Sequence, residues 1–302
     1  MMNILLTGAT GYIGSQLKEK LLQDENVRLR LFVRNAGKVK ESVGRRVEVY
    51  EGSTFDKDSL RKAIEGVDVA YYLIHSMGAK GDFEELDRIS AENFREACIA
   101  AGVKRIIYLG GLGKKETASK HLLSRIETGE ILSSQPAEIQ TIWFRAGIII
   151  GAGSASFRII RSLVKKLPLM ITPLWVHTKT QPIAVRDVLE YLFLAKDVEV
   201  QGNLIADVGS EQMSFKHMLE RAARVMELRR LLIPVPILST RLSSYWLILF
   251  SPVSYRIARA LVDGLKSETI IQNDNARIHF SKVTPLPYEK AIEAALSENE
   301  AK

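Results

Sequence analysis

The sequence predicts an α/β protein: a doubly wound parallel sheet followed by a small, mostly helical C-terminal lobe. Three observations predict it. Apolar, β-branched runs alternate with helical patterns from residue 3 to about 150, as strands joined by helical crossovers do. A turn with three spaced glycines, Thr7-Gly8-Ala9-Thr10-Gly11-Tyr12-Ile13-Gly14, follows the first apolar run at once. Beyond residue 150 the alternation becomes irregular while helical spacing persists. The boundary is placed at 152, with 1–152 as the sheet domain and 153–302 as a composite lobe that returns some segments to the sheet.

Taken in order, strands are expected at 3–7, 28–33, 47–50, 67–74, 103–109 and 140–150. Each is a short apolar run bounded by turn residues or charge. Between them lie helices near 12–23, 57–65, 83–101 and 117–133. Asp82 with Glu85 reads as a capping box for the third of these, and Gly102 as its end. A basic amphipathic helix (156–167) then precedes a Pro- and aromatic-containing stretch running to Trp175. A helix near 186–196, a strand near 203–208 and a helix near 214–227 follow. The remainder is read as largely helical, punctuated by Pro252, Pro285 and Pro287.

The glycine turn carries the first chemical statement. A strand that turns directly into a helix presents unpaired backbone N–H groups and the positive end of the helix dipole, a seat for a pyrophosphate. Gly8 permits the tight turn, Gly11 lets the backbone approach the phosphates, and Gly14 lets the helix pack on its strand. With Thr10, Tyr12 and Ile13 they are the expected dinucleotide contacts. The second strand decides which dinucleotide: a carboxylate at its end bonds a ribose 2′-OH, an arginine accepts a 2′-phosphate. Here Leu29-Arg30-Leu31-Phe32-Val33 runs into Arg34-Asn35 without a carboxylate. Arg34, with Lys38 adding charge, predicts NADP(H) in preference to NAD(H).

Composition bounds the rest. A chain of 302 residues, 46% hydrophobic, can bury a large core. The single cysteine, Cys98, excludes an internal disulfide and fits a cytoplasmic location. The net charge of +7 is dispersed and aromatics make up 7%, so no nucleic-acid platform is expected. The apolar segment 231–250 is interrupted by Pro234, Pro236 and Arg241, which argues against a membrane span. It is read as a lobe wall or a subunit contact, with peripheral membrane or protein docking as the alternative.

With these residues in view the chain resembles the extended and atypical short-chain dehydrogenase/reductases, a Rossmann-type family. Leu5 to Gly14 match its cofactor turn. Gly52-Ser53-Thr54-Phe55-Asp56 resembles the loop that touches the adenine, with Ser53 where the family usually has Asp. Val69 to Ser76 looks like the fourth strand and the loop lining the nicotinamide ribose. Ile106 to Gly111, Arg145 to Gly151 and Gln181 to Val188 resemble later landmarks. The resemblance implies that Ser53, Thr54, Ile74, His75 and Ser76 belong to the cofactor site, and that dimers are common.

The chemistry departs from that pattern. The family's catalytic set is a Ser or Thr after the fifth strand plus Tyr and Lys four residues apart on the next helix. None of the nine tyrosines here has Lys four residues later, and the serine position falls on Gly110 or Gly111. His121 and Arg125 hold the required spacing, on one helical face. Arg125 is expected to orient the ribose, and His121 to supply the proton, although a neighbouring Arg favours neutral imidazole. His75 is expected to contact ribose or substrate. His177, His217 and His279 form no metal-like cluster. Two functions follow: a reductase of a carbonyl or activated double bond, with Met77, Trp175, Trp246, Leu247 and Phe250 hinting at an apolar substrate; or a non-catalytic NADP(H)-binding sensor or accessory subunit. A sugar-nucleotide epimerase is disfavoured by the missing Tyr base.

Overall fold

Ile4, Leu5 and Leu6 are completely buried in the first strand, which therefore has protein on both faces. The computed structural model, which describes residues 1–39, 44–76, 82–235, 259 and 262–300, shows why. Strands β1 (Met2–Thr7), β2 (Val27–Val33), β3 (Val47–Glu51), β4 (Val69–Tyr72), β5 (Arg105–Gly111) and β6 (Gln140–Ala146) lie in one sheet. Two short strands, β7 (Ile149–Ile150) and β8 (Leu169–Pro173), come next, then β9 (Lys179–Thr180), β10 (Ile183–Ala184) and β11 (Leu204–Val208). The main sheet has seven strands in the order β11-β6-β5-β4-β1-β2-β3, all parallel. The strand order reverses at β1 and β4, so this Rossmann-like sheet has its crevice beyond the carboxyl end of β1.

Helices α1 (Tyr12–Leu22), α2 (Lys57–Ile64), α3 (Phe83–Ala100) and α4 (Lys120–Leu132) join the strands at the expected places. Alternate residues of β1 serve opposite faces. Ile4 and Leu6 join a cluster with Leu17 and Leu21 of α1, Tyr191 and Phe280, whereas Leu5 joins Leu60, Phe94 and Ile126 from α2, α3 and α4. Asp82 caps α3 by accepting from the Glu84 N–H at 3.1 Å. Cys98 is a buried packing thiol, its pKa pushed up by desolvation.

Two local differences from the expected elements have clear causes. The run 140–150 breaks at Gly147, where a Cβ would stand 2.0 Å from the Gln181 carbonyl oxygen. Beyond the break, β7 pairs with β10 instead of continuing the main sheet. The second difference is Leu231–Val235, which forms a strand where helix was expected, paired in parallel with β8. Lobe helices α5 (Ala155–Lys166), α7 (Phe215–Val225) and the C-terminal Tyr288–Glu300 share a separate core around Phe157, Met218 and Tyr288. Helix α6 (Val185–Leu194) and β11 belong to the sheet instead, so the chain returns to it after residue 152.

Candidate active site

A cleft of about 730 Å³ opens at the crevice of the sheet. Gly8, Gly11, Tyr12, Ile13 and Gly14 form one wall. Gly8 has φ +69, and a Cβ there would lie 2.5 Å from the Leu73 carbonyl oxygen; one at Gly14 would lie 2.2 Å from the Gly8 carbonyl oxygen. Both positions exclude side chains by sterics. Gly11 differs: it is exposed, and its nearest neighbour would be 3.2 Å from a Cβ. Bareness at Gly11 serves whatever approaches from the cleft. Helices α2, α3, α4, α5 and α7 have side-chain caps, whereas Gly11 leaves the start of α1 without one and no acidic residue lies in its first turn. An uncapped, unopposed helix N-terminus over a glycine turn fits a dinucleotide pyrophosphate.

The other predicted contacts divide. Ile74, His75, His121 and Arg125 line the cleft; Thr10, Arg34, Ser53, Thr54 and Ser76 are not among its lining residues. Thr10 is exposed on the turn. Thr54 is buried, its hydroxyl 2.7 Å from Ser90 Oγ, so its side chain serves the packing of α3. Ser53 Oγ accepts from the Phe55 N–H, and the Ser76 N–H donates to Asp87 at 2.8 Å. Arg34 and Lys38 are exposed just beyond β2. Sequence reasoning missed a carboxylate close by: Glu51, at the end of β3, accepts from the Ala36 N–H at 2.7 Å. It arrives from the neighbouring strand, so reading β2 alone does not find it.

A half-buried chain of polar groups leads from His121 to buried Asp87. Asp87 Oδ2 stands 3.1 Å from His75 Nδ1, and His75 Nε2 stands 3.1 Å from His121 Nδ1. Ser124 Oγ donates to Asp87 Oδ2 at 2.9 Å. Donor and acceptor counting fixes the resting tautomers. Ionised Asp87 takes the Nδ1–H of His75, the bare His75 Nε2 takes the Nδ1–H of His121, and His121 Nε2 is left as an acceptor. Desolvation lowers the His75 pKa despite Asp87, and desolvation, His75 and Arg125 push His121 down to about 3. Burial works to raise the Asp87 pKa, but its bonds from His75, Ser76 and Ser124 prevail and hold it low. The resting relay is therefore an ionised carboxylate and two neutral imidazoles. Asp87 carried no sequence signal: it sits inside a helical run, twelve residues from His75.

The missing serine has a steric explanation. A Cβ at Gly110 would meet Trp143 Nε1 at 2.4 Å, and one at Gly111 would meet Leu122 Cδ1 at 2.6 Å. Arg125 donates to the Leu109 carbonyl and lies 5.9 Å above the Tyr108 ring, which fixes its approach to the cleft. Ile148, Ile159, Phe215, Val262 and Leu265 give the lobe side an apolar wall. Arg145 is instead paired with buried Asp207 (2.6 and 3.0 Å), and Arg186 with Asp187. Among the described residues no group of His, Cys, Asp or Glu could hold a metal ion, and no helix is long and apolar enough to cross a membrane. Met77, Trp246, Leu247, Phe250 and most of 231–250 lie outside the described residues.

Comparison with known proteins agrees with this geometry. Residues 8–136 match a family model described as NAD(P)H-binding. This part of the chain is similar to NAD(P)H-binding domains, in keeping with the glycine turn at its start. Sterol demethylase protein B of Methylococcus capsulatus is 32% identical over 116 residues, covering 37% of this chain and 35% of that protein. A (4-alkanoyl-5-oxo-2,5-dihydrofuran-3-yl)methyl phosphate reductase of Streptomyces griseus is 29% identical over 128 residues, covering 40% of this chain and 39% of that protein. The chain thus spans less than half the length of these relatives. The triphenylmethane reductase of Citrobacter sp. shares the fold over 98% of this chain and 100% of its own, with TM-score 0.79 and 20% identity. Its complex with NADP(H) gives TM-score 0.75 at 19% identity, over 97% and 99% of the two chains.

Proposed function

We propose that this protein is an NADP(H)-dependent reductase acting on a carbonyl or an activated double bond of a small, apolar substrate. The observation that carries the reading is the Asp87–His75–His121 chain ending in a cleft whose opposite wall is apolar. The bound cofactor supplies a hydride; the chain must supply a seat, an orientation and a proton. The start of α1 seats the pyrophosphate, Arg125 orients the ribose, and Arg34 favours the 2′-phosphate. That two similar proteins are named reductases, one of them complexed with NADP(H), supports the reading. NADP(H) of the cytoplasm is the expected supply.

Proton delivery follows from the relay. When one extra proton enters, it sits on His75 beside Asp87; His75 Nε2–H then donates to His121 Nδ1, and His121 presents Nε2–H to the cleft. Transfer of that proton to a developing alkoxide draws the His75 proton onto His121 and restores the resting state. The loaded relay is an acid and the unloaded relay a base. Because both imidazoles resist protonation, the acid form grows as pH falls below the ordinary histidine value of 6.5.

A second reading rests on the same pKa values: a resting His121 with no proton to give suits a protein that binds NADPH without consuming it. Incubation with NADPH carrying deuterium at both positions of nicotinamide C4, against a panel of apolar ketones and enones, separates the two. Deuterium on carbon in any product establishes the reductase. Tight NADPH binding with no labelled product across the panel favours the sensor or accessory subunit.

A further inference from the structure

The strand pair at the edge of the lobe has an outward face that the cleft does not use. Strand β8 alternates exposed and buried residues, with Leu169 and Ile171 outward, each 48% exposed. In the parallel partner β13, here Leu231–Val235 with β12 at Met213–Ser214 before it, Leu231 and Ile233 are 60% and 40% exposed. The register sets Leu231 beside Leu169 and Ile233 beside Ile171. Four large aliphatic side chains thus form one contiguous outward patch, while Met170 and Leu232 pack inward on the lobe core. Patches of this kind mark an interaction surface.

Charge says which surface. No Asp or Glu stands between Glu138 and Asp187, nor between Glu227 and Asp263. These two acid-free stretches contain β8 and β13, and the pairing of the strands brings them together. Lys165 and Lys166 end the helix that leads into β8, and Arg229 and Arg230 lead into β13. Lys165, Lys166 and Arg229 are exposed; Arg230 ties the two approaches by donating to the carbonyls of Val164 and Lys165. An aliphatic face rimmed by cations, on stretches free of Asp and Glu from 139 to 186 and from 228 to 262, is complementary to an anionic lipid surface, where apolar burial and charge attraction add. We infer that the β8–β13 face docks this protein peripherally onto anionic membranes. The inference is independent of the reductase reading.

Sedimentation with vesicles of phosphatidylcholine and phosphatidylglycerol tests it. The full chain is expected to pellet with mixed vesicles at low salt and to be released at high salt. Lys165→Ser with Lys166→Ser is expected to weaken binding about 25-fold, at about fivefold per cation. Ile171→Asp with Ile233→Asp is expected to abolish it. NADPH titration of both variants reports folding, since neither pair lines the cleft. The inference is overturned if the wild type stays in the supernatant with anionic vesicles, or if both variants bind like wild type. It is overturned equally if ultracentrifugation shows a wild-type dimer that Ile171→Asp with Ile233→Asp makes monomeric, because the face then belongs to a second copy.

Discussion

In the proposed reductase Asp87 acts through His75 on the imidazole that faces the cleft, and a single amide substitution separates this role from plain packing. Asp87→Asn keeps the shape but can no longer balance a proton on His75. Turnover is expected to fall and to lose its rise at acid pH, while NADPH affinity holds. His75 and His121 also make the fold acid-sensitive. Each is neutral when folded and gains a proton more readily when unfolded, so stability is full above pH 6.5 and declines as pH drops towards the folded value, about 3 for His121. His121→Phe is expected to flatten that decline in thermal unfolding between pH 7 and pH 4.5; an unchanged slope contradicts the buried, neutral assignment. At the adenosine end, Arg34→Glu is expected to weaken NADPH binding about 10- to 100-fold, the worth of a charge-assisted bond, and to change NADH binding far less. Equal losses for both would contradict the assignment of Arg34.

Elements decide which residues can be used. The glycine turn was legible because its physics is local: spacing, a preceding strand and a following helix suffice. The serine position was legible only as an absence, and the reason lies across the sheet in Trp143 of β6 and in Leu122 of α4. Restoring a hydroxyl with Gly111→Ser is expected to lower thermal stability rather than raise activity, since Leu122 must move to admit the Cβ. The partner of Arg145 was likewise not legible in the sequence. Pairing β6 with β11 resolves this, for it sets Arg145 directly beside Asp207, whose side chain has no exposure. Asp207→Ala strands the cation and should cost about 3–5 kcal/mol of unfolding free energy. Denaturant melts give that number.

Over the whole molecule, the order of strands and helices to residue 146, and the later helices and strand near 155–166, 185–194, 204–208 and 215–225, followed from hydrophobic periodicity and caps, whereas the short strands between 149 and 184 and at 213–214 did not. The sheet is central, and its inner strands β1, β4 and β5 are short, mostly apolar runs. What periodicity could not supply was contact between distant segments. Asp87 meets His75 across α3 and the loop after β4, Glu51 reaches the end of β2 from β3, and Leu231–Val235 is a strand because β8 offers it a partner. The cleft has the same origin: its cofactor wall comes from the first strands and its apolar wall from the lobe. A molecule held in the cleft would therefore touch both parts of the chain at once. The most direct test of the account is the pH–rate profile of NADPH oxidation, with any ketone or enone that is turned over, for wild type and His121→Ala. The account predicts a wild-type rate that climbs as pH falls below 6.5, and a rate lower by about 10²–10⁴ in His121→Ala with NADPH binding retained. A rate independent of pH and of His121 would contradict it.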